Sequence, residues 1–210
     1  MMLRRMRDWE ARYQSGDTPW DHGEAAPPLL EMIDRHGAEL WRGGPVLVPG
    51  CGSGHDVRAI ARMGVAAIGL DISETAVAKA RLIPCDGPAS FEHGDFLEPA
   101  WRAGRGFPAI WEHTCYCAIL PRQRAAYAMA AAALLPAGGI LAGVFYLTPH
   151  DPGEDHEGPP FGVSVAELDA AFAPGFERID GWVPQRAYPG REGREWIGIF
   201  RKLPQARVAQ

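Results

Sequence analysis

Apolar residues in the middle of the chain follow two alternating rhythms. Short runs of β-branched and other apolar residues alternate with stretches in which apolar side chains recur every three or four positions. This alternation predicts a Rossmann-like α/β fold, in which a mostly parallel, doubly wound sheet carries helices on both faces. The predicted strands are 45–49, 66–71, 90–95, 107–113 and 140–147, and the predicted helices are 54–63, 73–81 and 121–135.

The end of the chain has a different pattern. Two further apolar runs, 176–188 and 195–202, are separated by the turn sequence PGREGR, which is typical of a β-hairpin. Before them, Ser164 is predicted to begin a short helix over VAELDAAF. The whole sheet is therefore predicted to have seven strands, with the C-terminal hairpin adding an antiparallel strand at one edge.

The segments outside this pattern define the predicted organisation. Residues 1–44 contain a rough helix, a turn-rich stretch and an amphipathic helix at 29–41, and we interpret them as an N-terminal helical segment. Residues 45–203 form one α/β domain, and residues 204–210 are predicted to be a disordered tail. The stretch 148–160 is too polar and too rich in proline for regular structure.

Composition limits the classes of function. The 210 residues are 47% hydrophobic, which suits one domain with a substantial core, and the net charge of −5 argues against a nucleic-acid-binding surface. No apolar run is long enough to span a membrane, and the charged first residues do not resemble a signal peptide. Four cysteines without such a signal indicate free thiols in a reducing compartment, so the expected location is the cytoplasm.

The clearest chemical signal is the sequence VLVPGCGSG at 46–54. Gly50, Gly52 and Gly54 follow a strand and precede a helix, where the backbone can approach a ligand and the helix N-terminus favours a carboxylate or phosphate. The dinucleotide fingerprint needs its third glycine at position 55, which is His55 here. The spacing therefore indicates a ligand smaller than NAD, although a tight turn without any ligand would also use these glycines.

Acidic residues close three other predicted strands. Asp71 ends the second strand, where a carboxylate can accept both hydroxyls of a ribose. After the third strand, Asp95 is positioned to bind an adenine amine and Phe96 to stack on the ring. Glu112, near the end of the fourth strand, is predicted to border the same pocket. A ribose together with an anionic end favours S-adenosylmethionine (SAM), with Glu112 on the side of its sulfonium.

Longer motifs resemble a known family. They are W-x3-Y-x2-G-D-T-P-W-D-x-G (9–23), VLVPGCGSGHDV (46–57), GLDIS (69–73), GDF (94–96), CAILPRQRAAYA (117–128) and GPPFGVS (158–164). In this combination the chain resembles the thiopurine S-methyltransferase family, especially its branch of plant and bacterial thiol and halide methyltransferases. Generic methyltransferases share only the glycine loop and the acid after it.

The resemblance implies a set of cofactor contacts. The first helix and the turn after it would fold over SAM, with Trp9, Tyr13 and Trp20 in the cofactor pocket; rings there would attract a sulfonium cation. The family commonly has tryptophan at the position of Tyr13 and tyrosine at the position of His113. Trp9 and Trp20 could instead serve only packing. The other residues implied to contact SAM are Gly50, Asp71, Asp95, Phe96 and His113.

The resemblance also implies an acceptor side. Arg124 matches an arginine near the acceptor in thiopurine enzymes, and we interpret it as the catalytic helper that favours a thiolate; a solvated helix arginine is the alternative. Residues 148–162 would form part of a lid, with Pro159, Pro160 and Phe161 lining the acceptor pocket. The acids and histidines of this stretch have no helical spacing, so no metal site is predicted.

Three classes of function follow from these observations. The first is a SAM-dependent methyltransferase acting on a small thiol or a related soft nucleophile, such as a halide or a selenium or tellurium compound. The second is a nicotinamide-dependent oxidoreductase, which His55 disfavours, and the third is a non-catalytic SAM-binding protein. For the first class we expect a small-molecule acceptor, no nucleic-acid or membrane partner, and a monomer.

Overall fold

The computed structural model describes residues 8–151 and 158–204. None of its helices is long and apolar enough to cross a lipid bilayer. Short 3-10 turns cover Ala38–Trp41 and Pro121–Gln123. The strands are β1 (Val46–Pro49), β2 (Ala67–Asp71), β3 (Ala89–His93), β4 (Ala109–His113), β5 (Ile140–Tyr146), β6 (Phe176–Trp182) and β7 (Glu195–Lys202). The α-helices are α1 (Trp9–Ser15), α2 (Pro27–His36), α3 (His55–Ala61), α4 (Glu74–Leu82), α5 (Pro99–Arg102), α6 (Arg124–Leu134) and α7 (Val165–Phe172).

The strands form one seven-stranded sheet in the order β3-β2-β1-β4-β5-β7-β6. Strands β1 to β5 pair in parallel, and β7 is antiparallel to both β5 and β6. The predicted doubly wound sheet with a C-terminal hairpin is therefore confirmed. Strand order reverses between β1 and β4, and in such sheets a ligand crevice lies beyond the carboxyl ends of the strands at this switch point.

Local sequence explains where the elements differ from their predicted bounds. The helix predicted at 29–41 begins at Pro27, since proline suits the first helical turn, and ends before Gly37, which has φ of 64°. The strand predicted at 176–188 ends at Trp182, two residues before Pro184, which cannot donate a ladder hydrogen bond. Ser164 caps α7 in a capping box with Glu167, as its position predicted.

Apolar side chains pack on both faces of the sheet. On one face Trp41 contacts Trp111 edge to face, at 6.3 Å between ring centroids, and fully buried Leu29 and Met32 of α2 belong to the same cluster. The other face holds an aromatic cluster from α6, α7, β5 and β7. Since α2 and the turn after it belong to the same buried cluster as residues of the sheet, burial of apolar area holds them against this face.

Two paired glycines leave room for one tryptophan of this aromatic cluster. Gly181 on β6 pairs with Gly198 on β7, and Trp196 of β7 covers both. A Cβ on either glycine would overlap the indole of Trp196, which itself packs against Phe145 and Phe200. The close approach of the indole to the strand backbone therefore depends on glycine at both positions.

We expect Gly181→Ala to lower the free energy of unfolding by about 1–3 kcal/mol, because the added methyl forces a buried side chain to move in a packed core. Urea titration of both proteins measures this. Gly106→Ala is the matched control: Gly106 is exposed, its φ is not left-handed, and a Cβ there would meet only the Leu134 carbonyl at 3.7 Å. Equal unfolding free energies for Gly181→Ala and the wild type would contradict this account of the packing.

Candidate active site

A cavity of about 800 Å³ lies beyond the carboxyl ends of the parallel strands. Its walls come from the turns after β1, β2, β3 and β4, the end of β5, the N-terminal segment and the loop before β7. It is therefore located at the switch point of the sheet. Nine of the residues predicted from sequence line it: Trp9, Tyr13, Trp20, Gly50, Gly52, Asp71, Asp95, Phe96 and His113.

The glycine loop has the left-handed backbone that its sequence predicts. Gly50, Gly52 and Gly54 have φ of 62°, 53° and 76°. A Cβ on Gly52 would lie 2.7 Å from the hydroxyl of Tyr13, so a side chain there would disturb the cavity wall. Gly54 lies outside the lining, because it faces the Phe91 ring and serves the packing of α3 on the sheet.

Asp71 joins the glycine loop to the second strand. Its carboxylate accepts hydrogen bonds from the backbone N–H of Gly52 at 2.8 Å and of Ser73 at 2.9 Å. Burial raises the pKa of Asp71 above its ordinary value, although these two hydrogen bonds favour the charged form. The carboxylate thus fixes the loop while it lines the cavity.

Asp95 and Phe96 lie in the turn that follows β3. The Asp95 carboxylate accepts from the backbone N–H of Leu97 at 2.7 Å, which closes a tight turn. The Phe96 ring packs against Tyr127 of α6, at 4.7 Å between centroids. Both side chains line the cavity on the β2–β3 side of the glycine loop.

Glu112 does not line the cavity. Its side chain is fully buried and accepts from the backbone N–H of Tyr116 and the hydroxyl of Tyr127. Burial raises the pKa of Glu112 to about 7. Tyr127 itself lines the cavity, so Glu112 lies one side chain behind the wall. The prediction that Glu112 borders the pocket did not include this intervening phenol.

Arg124 also lies outside the cavity lining. Its guanidinium donates to the carbonyls of Phe161, at 3.3 Å, and Gly162, at 2.8 Å, and lies over the Tyr116 ring. The segment that it holds contributes Pro159, Pro160 and Phe161 to the cavity wall. Arg124 is therefore placed to support this wall from outside the lining, and the acceptor role predicted for it stays a prediction.

Aromatic rings of the N-terminal segment cover the glycine loop. Trp20 makes edge contacts with Trp9, at 5.3 Å, and with Tyr13, at 5.8 Å, and its indole N–H donates to the Tyr13 hydroxyl at 3.1 Å. The guanidinium of Arg12, which also lines the cavity, lies 4.3 Å from the centroid of Trp20. These contacts hold three rings together in the cavity wall.

Polar contacts that the sequence did not predict fasten this segment to the domain. Glu10 of α1 accepts from the hydroxyl of Ser73 at 2.6 Å and from the backbone N–H of Thr75 at 3.2 Å, both at the start of α4. The side-chain hydrogen bonds from Ser73 and Thr75 lower the pKa of Glu10 to about 2. Lys79 of α4 donates to the Tyr13 carbonyl at 2.7 Å. We call these contacts the α1–α4 latch.

The far end of the cavity carries a cation among aromatic rings. The Arg191 guanidinium lies over Tyr146, at 5.1 Å, and over Tyr188, at 5.2 Å, and its Nη1 is 3.2 Å from a carboxylate oxygen of Glu195. The His22 ring stacks on Tyr188 at 3.9 Å. Only Tyr146, at the end of a parallel strand, could have been suspected from sequence; His22, Tyr188 and Arg191 lie outside the helices and strands, and Glu195 begins β7.

A buried carboxylate lies behind His113. Asp56 of α3 accepts from the backbone N–H of Ala26, at 2.7 Å, the indole N–H of Trp111, at 2.7 Å, and Nδ1 of His113, at 3.0 Å. Burial by itself would raise the pKa of Asp56, but the charge of His113 and the three hydrogen bonds outweigh it, so that the pKa lies below its ordinary value. Nε2 of His113 is buried and has no hydrogen-bond partner among the described residues.

Some predictions fall outside the residues described. Residues 152–157, the centre of the predicted lid, are among these, as are residues 1–7 and nearly all of the predicted tail, 205–210. Within 8–151 and 158–204, no group of three or more histidine, cysteine, aspartate and glutamate side chains could hold a metal ion.

Solved structures with the same architecture define the class of the protein. A structure from a study of the conversion of a disulfide bond into a thioacetal group during echinomycin biosynthesis gives a TM-score of 0.74 at 23% identity, covering 96% of this chain and 93% of that chain. The magnesium protoporphyrin IX methyltransferase of Synechocystis PCC 6803, solved with bound SAM, gives 0.68 at 17% identity, over 96% and 100% of the two chains. The fold is that of class I SAM-dependent methyltransferases.

Sequence comparison then identifies the family. Residues 4–182 match the family described as Thiopurine S-methyltransferase. Thiocyanate methyltransferase 1 of Arabidopsis thaliana is 36% identical over 200 residues, which cover 93% of this chain and 84% of that protein. The chain belongs to the thiopurine S-methyltransferase family and is a SAM-dependent methyltransferase, as its motifs predicted. The matched family and this relative do not favour the alternative of a nicotinamide-dependent oxidoreductase.

The α1–α4 latch leads to a prediction about the aromatic wall. Glu10→Gln should speed amide hydrogen exchange in α1 at neutral pH, because a neutral amide is a weaker acceptor at the start of α4. In the wild type the pKa of Glu10 is lowered from 4.5 to about 2, so the latch is complete above pH 4.5 and is lost as the pH falls towards 2.

Hydrogen exchange measured by mass spectrometry on α1 peptides tests this. Glu74→Gln is the control, since Glu74 is an exposed acid in the first turn of α4 with no side-chain hydrogen bond in the described parts of the chain. Exchange in α1 that is equally slow in all three proteins would show that the latch does not hold the helix.

Proposed function

We propose that the protein transfers a methyl group from SAM to a small thiol or a related soft anion. One observation carries the proposal: a single cavity holds the glycine loop and Asp71 at one end and, at the other, Arg191 with Tyr146 and Tyr188, which we call the Arg191 cluster. A donor with a ribose and an acceptor with negative charge can therefore meet in one space. The name of the thiocyanate methyltransferase relative supports an acceptor of this kind.

The residues at the loop end fit SAM. The Asp71 carboxylate would accept from ribose hydroxyls, and Asp95 and Phe96 would hold the adenine. Gly52 leaves the space that a side chain would fill, and the rings of Trp9 and Trp20 would favour a sulfonium nearby. When bound, SAM supplies a methyl group already activated for transfer.

The residues at the far end fit a soft anion. Arg191 offers positive charge between two phenol rings, and its ion pair with buried Glu195 fixes its position. A cation in a site of low dielectric attracts an anion more strongly than it would in water. Holding the nucleophile in line with the methyl group can supply roughly 7–11 kcal/mol of the barrier, so no nucleophilic side chain is required.

We further propose a small molecule as the only partner and a monomer in the cytoplasm. All four cysteines are unpaired, in keeping with a reducing compartment, and the net charge of −5 disfavours nucleic acid. Sedimentation of the purified protein tests the monomer. The N-terminal segment, 1–44, is proposed to cover the cofactor site of the 45–203 domain.

Methyl transfer from radiolabelled SAM to thiocyanate, iodide, hydrosulfide and benzenethiol tests the central proposal. We expect a methylated product from at least one acceptor, and calorimetric binding of SAM without binding of NADH. SAM binding with no product from any of the four acceptors would support a non-catalytic SAM-binding protein. NADH binding would support a nicotinamide-dependent oxidoreductase.

We expect Arg191→Gln to lower kcat/KM for thiocyanate by about tenfold to a hundredfold, because a hydrogen bond to a charged group contributes roughly 1.5–3 kcal/mol. SAM affinity should be unchanged. Arg186→Gln is the matched control, since Arg186 forms an exposed ion pair with Asp34. Arg191→Lys, which keeps the charge beside Glu195, guards against a folding defect. An unchanged kcat/KM in Arg191→Gln would show that Arg191 does not bind the acceptor.

A further inference from the structure

We propose that His113, held by Asp56, is the base that removes the proton from a thiol acceptor. The substrates would then include thiols that are protonated at neutral pH, besides anions such as thiocyanate. This inference rests on the proposed function, because it assigns a role within the same cavity. Four observations lead to it: the tautomer of His113, its unpaired nitrogen, its position and the backbone beside it.

The hydrogen bonds of Asp56 determine the tautomer of the neutral imidazole. An ionised carboxylate can only accept, and Asp56 lies 3.0 Å from Nδ1 of His113 while it accepts from the Trp111 indole as well. Nδ1 therefore carries the hydrogen. In the neutral ring Nε2 is then the atom with a free lone pair, which is the atom that can take a proton.

The unpaired Nε2 points to a partner outside the protein. Buried polar atoms in folded proteins are nearly always hydrogen-bonded, and an unmade bond costs roughly 1–3 kcal/mol. Nε2 of His113 has no partner among the described residues, although the side chain lines the cavity. Nδ1, on the same ring, is fully paired. Because Nε2 itself is buried in this structure, a thiol reaches it only when binding in the cavity moves the ring or its neighbours, and the thiol would then supply the missing donor.

His113 lies between the two ends of the cavity. Its ring stacks on Tyr188, which belongs to the Arg191 cluster, at 6.2 Å between centroids. Cys115, two residues after His113, lies against the glycine loop. A Cβ added to Gly50 would be 2.9 Å from the Cβ of Cys115. A nucleophile passing from the Arg191 cluster to the donor would therefore pass His113.

The backbone beside His113 is strained in a way typical of functional sites. Thr114 has φ of 63°, a left-handed conformation that is unfavourable for a β-branched residue. Its hydroxyl donates to the His113 carbonyl at 2.7 Å, within the turn that leaves β4. Such strain persists only where the surrounding structure enforces it, and here it lies directly after the histidine.

The reaction balances without another reagent. Nε2 of His113 takes the proton of the thiol, and the electron pair left on sulfur forms the new bond to the methyl carbon. The bond between that carbon and the sulfonium breaks, and its electrons neutralise the sulfonium. The Asp56 carboxylate stabilises the resulting imidazolium, which afterwards releases the proton to solvent. Acceptors that are already ionised do not need this step.

The test is a series of acceptors with graded pKa. His113→Asn keeps a donor near the position of Nδ1 for Asp56 and removes Nε2, and His113→Gln serves as a second variant should the first fold poorly. We expect the ratio of kcat for 2-mercaptoethanol, which is mostly protonated at neutral pH, to kcat for thiocyanate to fall roughly 100-fold or more, the range for a general base. Arg186→Gln, which removes only an exposed ion pair with Asp34, is the control and should leave this ratio unchanged.

A binding measurement gives a readout independent of turnover. Ultraviolet difference spectra of benzenethiol, bound together with S-adenosylhomocysteine, report how much of the thiol is ionised at each pH. We expect ionisation at lower pH in the wild type than in His113→Asn, because a neighbouring base accepts the proton. Asp56→Asn, which alters a positioning residue, should give an intermediate result.

The outcomes separate the two proposals. An equal loss for 2-mercaptoethanol and thiocyanate, or a loss of SAM affinity by calorimetry that accounts for the whole effect, would overturn the base and leave His113 as a cofactor contact. Identical benzenethiol spectra in wild type and variant would overturn it as well. If the wild type methylates no acceptor, the proposed function fails, whereas the spectra still decide whether His113 takes a thiol proton.

Discussion

The structure depends on satisfying one buried carboxylate, that of Asp56. A charge removed from water is stable only if hydrogen bonds replace its hydration, and Asp56 obtains them from the backbone before α2, from Trp111 on β4 and from His113 at the end of β4. All three donors are distant from Asp56 in the sequence. The same contacts that make the charge tolerable therefore hold α2 against the sheet and orient the histidine in the cavity.

The same logic extends to the other charges of the cavity wall. Asp71 is buried, and the N–H groups that it pairs with are those of the glycine loop and the start of α4, so its stability and the shape of the loop are inseparable. Arg191 pairs with buried Glu195 and with two rings. A cavity with such walls has its charges in place before a ligand arrives, and little reorganisation is left for the reaction itself.

The sequence predicted what depends on local pattern. Strand and helix alternation predicted the sheet, and the glycine spacing with Asp71 and Asp95 predicted residues that line one cavity, because parallel strands bring their carboxyl ends together. Local pattern does not show which side chain stands in front of another: the Tyr127 phenol lines the cavity and Glu112 lies behind it. No site role was predicted for Arg191 and Tyr188, because residues between two strands carry no periodic pattern that could assign them to the cavity. Arg124 has a match in the motif, but its partners, the carbonyls of Phe161 and Gly162, are set by tertiary packing.

One cavity with both a fixed cation and a histidine can treat two kinds of acceptor differently. For an ion such as thiocyanate, attraction to Arg191 is useful and a base is irrelevant, whereas a neutral thiol gains little from the cation until its proton has gone. The resemblance of the motifs implies tyrosine as the common residue at the position of His113, and a phenol, with a pKa near 10, does not accept a proton at neutral pH. Because Asp56 fixes the ring through Nδ1, histidine at this position adds a proton acceptor without disturbing the buried carboxylate. The range of acceptors would then widen through one side chain, while the donor end of the site stays as it is.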